Sequence, residues 1–238
     1  VIPVILRDLV PRLLLVALAG LLFYGLEPAF HQHGPVPPEA AAELGPLGLA
    51  ATLANLAGLS MLILLAGFVS ADRRRGYYRI LLSHPVHPLA LYGLRWGVAL
   101  ALSLAAAALF LVAGQLVGWG EWRGGAAGLG LAFLSALAYG GLMAFLSVLL
   151  PRGDAWVAVI LFALTFVWLQ ALGVGAEPFT APVRQAIGLV LPPQIALQDV
   201  YEGLIRGRPA WDAAHFVAGY GGFWLAAAAA LLRLREWP

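Results

Sequence analysis

The chain has 238 residues, of which 62% are hydrophobic and only 11% charged, with a formal net charge of +2; a soluble domain is about half apolar and about a quarter charged. This composition excludes a soluble globular enzyme. At roughly 20 residues per membrane-spanning helix, the chain holds about six spans with short connections and no separate soluble domain.

All 14 basic residues are arginines, and there is no cysteine. Disulfides, thiolate metal sites and thiol nucleophiles are therefore excluded. So is a phosphate-binding loop of the G-x-x-x-x-G-K-[ST] kind, which needs a lysine at the phosphates. If ATP drives this protein, another subunit hydrolyses it.

Residues 1–12 set Ile2, Ile5, Leu6 and Leu9 at helical spacing, with Arg7, Asp8 and Arg12 available to headgroups. This predicts an amphipathic interfacial helix. Val1 stands where an initiator methionine would, which leaves room for residues before it, and no signal peptide with a cleavage site is visible. The first span is expected at about 13–30; it has only 14 uncharged residues before Glu27, so Arg12 snorkels or the span sits off-centre. The Pro-rich connection 27–46, in which Pro38 can start a short helix, is expected outside the membrane.

Further spans are expected at about 47–70, 96–118, 126–150, 155–176 and 212–232, each an uncharged stretch long enough to cross. Residues 185–198 are also uncharged, but the stretch is short and broken by Pro192 and Pro193. Within the outer segment 177–210 it suits a re-entrant or interfacial hairpin better than a seventh crossing. The predicted fold is an all-α polytopic membrane protein, one transmembrane domain with six helices crossing.

Six spans put both termini on one side. Placing the termini, 71–95 and 151–154 in the cytoplasm sets ten arginines inside and four outside, with four acids inside and eight outside. Inverting the chain would translocate its densest basic cluster, Arg73, Arg74 and Arg75.

An ion-coupled carrier needs an ionisable group at depth, and the predicted spans contain no acid or arginine there. Their polar residues, Asn55, Ser60, Ser135, Tyr139, Thr165 and Gln170 among them, read first as interhelical hydrogen bonds. His31 and His33 form a His-x-His without a third ligand in sequence and read as solvated loop. Five Gly-x-x-x-Gly pairs occur, Gly114/Gly118 among them, but 28 glycines give about three by chance, so the pairs carry no weight.

Residues 71–95 are too long for a turn. A charged cluster is followed by Gly76, an aromatic and apolar run (Tyr77, Tyr78, Ile80, Leu81, Leu82), Pro85 and Pro88, then Tyr92 and Trp96. A short amphipathic helix on the membrane surface has this pattern. Two readings stand side by side: a docking element, or a positive-inside anchor that only fixes topology.

Here the chain resembles the type-2 permeases of ATP-binding cassette (ABC) exporters. In that family a Glu, a Gly four residues later and a Leu-Leu-Ser-x-Pro run form the coupling helix between the second and third spans. Asp72, Gly76 and Leu81, Leu82, Ser83, His84, Pro85 stand at the same offsets. Asp72 replaces the usual Glu, and Arg79 sits where relatives often carry an acid. The resemblance extends to the N-terminal amphipathic helix, the six spans and the long outer segment before the last span, and so covers essentially the whole chain.

The resemblance implies an ATPase-coupling set of Asp72, Arg73, Arg75, Gly76, Tyr77, Tyr78, Arg79, Leu81, Leu82 and Pro85. It implies two ABC ATPase subunits per complex, which carry the ATP and Mg, while this chain binds no cofactor or metal and is itself not an enzyme. A second permease, the same or a homologous chain, and membrane lipid are the other expected partners, with no nucleic acid. The expected location is a bacterial or archaeal inner membrane, with both termini cytoplasmic. A mostly apolar lumen, with Asn55, Ser60, Tyr139, Thr165 and Gln170 as its polar lining candidates, suits an amphipathic or lipid-like cargo. Three alternatives remain: a haem-exporter-type permease of cytochrome c maturation, a non-transporting membrane anchor or assembly subunit whose arginines bind anionic lipid, and a secondary carrier.

Overall fold

The computed structural model describes residues 2–31, 34, 40–74, 76, 87–173 and 189–234, with backbone alone at 2–4, 7, 162 and 165–173. Among the described residues every regular element is a helix, and no strand occurs. In chain order these are α1 (Ile2–Leu26), α2 (Pro28–His31), α3 (Leu49–Leu65), α4 (Ser70–Arg74), α5 (Pro88–Gly118), α6 (Gly128–Leu149), α7 (Asp154–Gly173), α8 (Gln194–Ile205) and α9 (Trp211–Leu234).

Five helical stretches are long and apolar enough to cross a membrane: Asp8–Leu26, Leu49–Arg74, Pro88–Gly118, Gly128–Leu149 and Trp211–Leu234. The chain is thus a multi-pass, all-helical membrane protein. Within a bilayer each backbone polar group must find a partner inside the protein, and a helix does so within its own segment.

Three features of the chain path depart from the hydropathy pattern. The amphipathic run and the first apolar run lie on one continuous helix, α1, which passes through Pro11 without ending. Helix α5 starts at Pro88, well before the uncharged run, because His87 accepts from the Leu89 amide and Pro88 occupies the first helical turn. Residues 40–48 form successive turns, Leu44 N donating to the Ala40 carbonyl at 2.9 Å; the start of the short helix expected from Pro38 lies outside the described residues.

The core is a row of parallel helices. Gly128 faces Ala50, Ser135 faces Gly58, Gly140 faces Met61, and Ser147 meets Val69, so α6 runs alongside α3 and α4 at a nearly constant sequence offset. On its other side Gly141 meets Gly221 and Phe145 meets Trp224, so α9 runs parallel to α6 as well. The opposite direction belongs to α1 and α5: Arg12 reaches Leu64 while Glu27 reaches Thr52, and Tyr92 packs on Phe68 while Ser103 donates to the Ala57 carbonyl.

Close approach rather than side-chain bulk holds α6 in place. A Cβ on Gly58 would lie 2.7 Å from the Tyr139 ring, and one on Gly141 would lie 2.3 Å from the Gly221 carbonyl. Small residues allow such contact between helices, where dispersion replaces the missing hydrophobic drive in lipid. Gly114 and Gly118 do the same for a side chain: Phe30 of α2 sits where their Cβ atoms would be, 2.9 and 2.6 Å away.

Candidate functional site

One end of the bundle carries Arg12, Arg73, Arg95 and Asp154, and there the second apolar stretch is broken. Helix α3 stops at Leu65, Ala66 turns extended with ψ 120°, Gly67 takes a left-handed φ of +71°, and the chain resumes as α4. Gly67 suits that position because it has no Cβ to oppose a positive φ.

A break leaves backbone groups without helical partners, and side chains from three other helices take them. Arg12 Nη1 donates to the Leu64 and Ala66 carbonyls, both at 2.7 Å. Asp154 Oδ2 accepts from the Gly67 amide at 3.1 Å. Ser147 Oγ accepts from the Val69 and Ser70 amides at 2.9 and 3.2 Å.

Directly beyond the break, Asp72 is buried on α4. It accepts from Arg95 Nη1 at 2.5 Å and from the Tyr92 hydroxyl at 3.3 Å. The other arm of Arg95 reaches Asp8 of α1 at 2.8 Å, so one guanidinium joins α1, α4 and α5. Burial makes the inner pair, Arg95 and Asp72, the stronger one; Asp8 is 43% exposed at its side chain and its pair is screened by water and salt. Arg73 Nη1 adds a longer contact, 3.4 Å, to the Val148 carbonyl.

Of the coupling set, then, Asp72, Arg73 and Gly76 lie among the described residues. Asp72 and Arg73 turn into the bundle, while Gly76 has φ +68° and open space where a Cβ would project. Arg75, Tyr77, Tyr78, Arg79, Leu81, Leu82 and Pro85 lie outside the described residues.

Ser60 and Tyr139 are buried in the packed core, Asn55 is half-buried on α3, and the side chains of Thr165 and Gln170 on α7 are outside the described ones. Tyr139, midway along α6, accepts from Gln194 Nε2 at the start of α8. Tyr220, midway along α9, donates to the Val190 carbonyl at 3.0 Å. Residues 190–194 therefore sit beside the middle of two long helices.

An open apolar groove of about 630 Å³ lies between α1 and α5, with Leu56 of α3 at its base. Leu13, Gly20 and Tyr24 line one wall, and Leu102, Ala106 and Phe110 the other. Asn55, Ser60 and Tyr139 do not border it.

At the opposite end of the bundle Glu27, expected in the outer connection, is buried. Thr52 donates to its Oε2 and the Ala29 amide to its Oε1 at 3.3 Å. Tyr201 of α8 is half-buried nearby, and its burial, followed by Glu43 and Glu27, pushes its phenol above the usual value. Among the described residues no group of three metal-ligating side chains occurs. His31 is engaged with the Tyr24 carbonyl at 3.1 Å, and His33 lies outside the described residues.

Sequence reasoning missed the roles of Arg12, Ser147, Asp154 and Glu27. The available signals were faint: a glycine near the end of an apolar run, and an arginine too deep for a comfortable first span. Comparison with protein-family models, with curated proteins and with solved structures finds no match to this chain.

Proposed function

We propose that this chain is the transmembrane permease subunit of a type-2 ABC exporter, working as a pair with a second permease and driven by two ATPase subunits. The observation that carries the reading is the fastened elbow at 66–72. It brings Asp72 and Gly76, at the offsets of a coupling motif, to the end of a buried span, directly before residues 77–86. A segment that transmits force needs such a rigid root.

In this reading α7 also crosses, as the fifth of six spans, and 177–210 is a re-entrant hairpin on the outer side. The contacts of Gln194 and Val190 with mid-helix tyrosines support that depth. The arginine-bearing end faces the cytoplasm of a bacterial or archaeal cell, with both termini there. ATP binding closes the ATPase pair, the coupling helix moves with its groove, and the attached spans rock to open a path outward. The apolar groove between α1 and α5 supports an amphipathic or lipid-like cargo.

The test is purification from the native membrane followed by transport in vesicles. An ATPase subunit is expected to copurify, and Gly76→Asp with Leu82→Glu is expected to leave assembly intact while lowering cargo transport per ATP hydrolysed at least about tenfold. A lone protein supports the anchor reading instead, and unchanged transport by an assembled double variant removes the docking role.

A further inference from the structure

Helix breaks are tolerated where other groups take up the freed backbone, and they mark places where a helix can bend. The break at 66–69 is closed by Asp154, Ser147 and Arg12. Two of these belong to α6 and α7, which follow each other through the short connection 150–153. Arg12 differs, because it sits on α1, whose Leu14, Leu18, Leu21 and Leu22 are all more than half exposed.

The contact is strong for its kind. One guanidinium nitrogen lies 2.7 Å from two carbonyls at the C-terminal end of α3, where the helix dipole favours a cation. A few residues away the same helix is tied again, since Arg95 holds Asp8 of α1 and Asp72 of α4 with its two arms. So α1, which packs little apolar surface into the core, is fastened to the elbow of the second span by two arginines.

We infer that Arg12 is a positioning residue that makes α1 and the α3–α4 elbow one moving unit, so that a displacement of α4 is carried into α1. Because α1 forms a wall of the α1–α5 groove, such a displacement also alters the width of that groove. This goes beyond the exporter reading and stands without it, since the fastening is a property of this chain alone.

The absence of cysteine permits clean spin labelling of the full chain in lipid nanodiscs. Labels at Val10→Cys on α1 and Arg74→Cys on α4, both exposed positions, read the distance across the clasp. Labels at Leu116→Cys on α5 and Trp211→Cys on α9, at the opposite end, serve as the control pair. Arg12→Gln is expected to widen the Val10–Arg74 distance distribution at least about twofold while the control distribution holds. An unchanged Val10–Arg74 distribution with the control intact overturns the inference.

If Arg12→Gln loses the control distance, Arg12→Lys decides. Its single ammonium cannot hold both carbonyls in the same fixed geometry, so it is expected to widen the first distribution and spare the second. No widening overturns the inference. Loss of the control distance in both variants also overturns it, because Arg12 would then be required for folding as a whole.

Discussion

Helices α1 and α6 are similarly apolar, yet the protein covers them very differently: 17% of the most apolar stretch of α1 is buried, against 67% of that of α6. Hydropathy measures what lipid will accept and is silent on whether lipid or protein is the neighbour. Small residues make the distinction. Helix α6 carries Gly140 and Gly141 at two crossings, whereas Gly20 and Gly25 of α1 have open space where a Cβ would be. One helix is fixed by shape, and the other is tied by the polar contacts of Asp8 and Arg12 and, just beyond its C-terminal end, of Glu27.

The sharpest way to break this comparison is to put the same side chain on both helices. Gly141→Leu drives atoms into the Gly221 backbone 2.3 Å away, and is expected to destabilise the protein by about 3 kcal/mol. Thermal unfolding in detergent, followed by size exclusion, reads the loss. If the helices tolerate Leu there without a shift in melting, close approach does not hold α6.

An intermediate effect is expected where α1 gives way to α2. Thr52→Val removes the hydroxyl donor from the buried Glu27 carboxylate, which should cost about 2 kcal/mol. Glu27→Gln in the same background should recover part of it, since a neutral amide is less costly to leave short of a donor. No melting change in Thr52→Val would mean that water already serves Glu27.

Gly20→Leu should give the smallest effect. With nothing within 4 Å of the added Cβ, it should shift stability by no more than about 0.5 kcal/mol. A large loss at this position would show that α1 is covered by something more than lipid.

The helical class and the long apolar helices were legible because each follows from composition over some 20 residues, a local property. The elbow at 66–69 was not. It lies inside an uncharged run that reads as one span, and its partners Arg12, Ser147 and Asp154 are more than 50 residues distant along the chain. Gly114 and Gly118 were statistically unremarkable as a pair, and their role as the seat of Phe30 depends on where α2 lands. Gly141 and Gly221 form no spacing motif at all, since they meet across two helices. Glu27 looked like the first residue of a solvated loop because a sequence cannot show that Thr52 waits on a neighbouring helix. For Asp72, the offset from Gly76 and the Leu-Leu pair suggested a role, and its engagement with Arg95 and Tyr92 was beyond reach.

The meeting of Gly141 with Gly221 has a mechanical consequence. Two backbones touching with no side chain between them have no rotamer through which the contact can relax. The spacing of α6 and α9 at that point is therefore set by main-chain atoms alone, and a methyl group added at Gly141 could be accommodated only by parting the two helices.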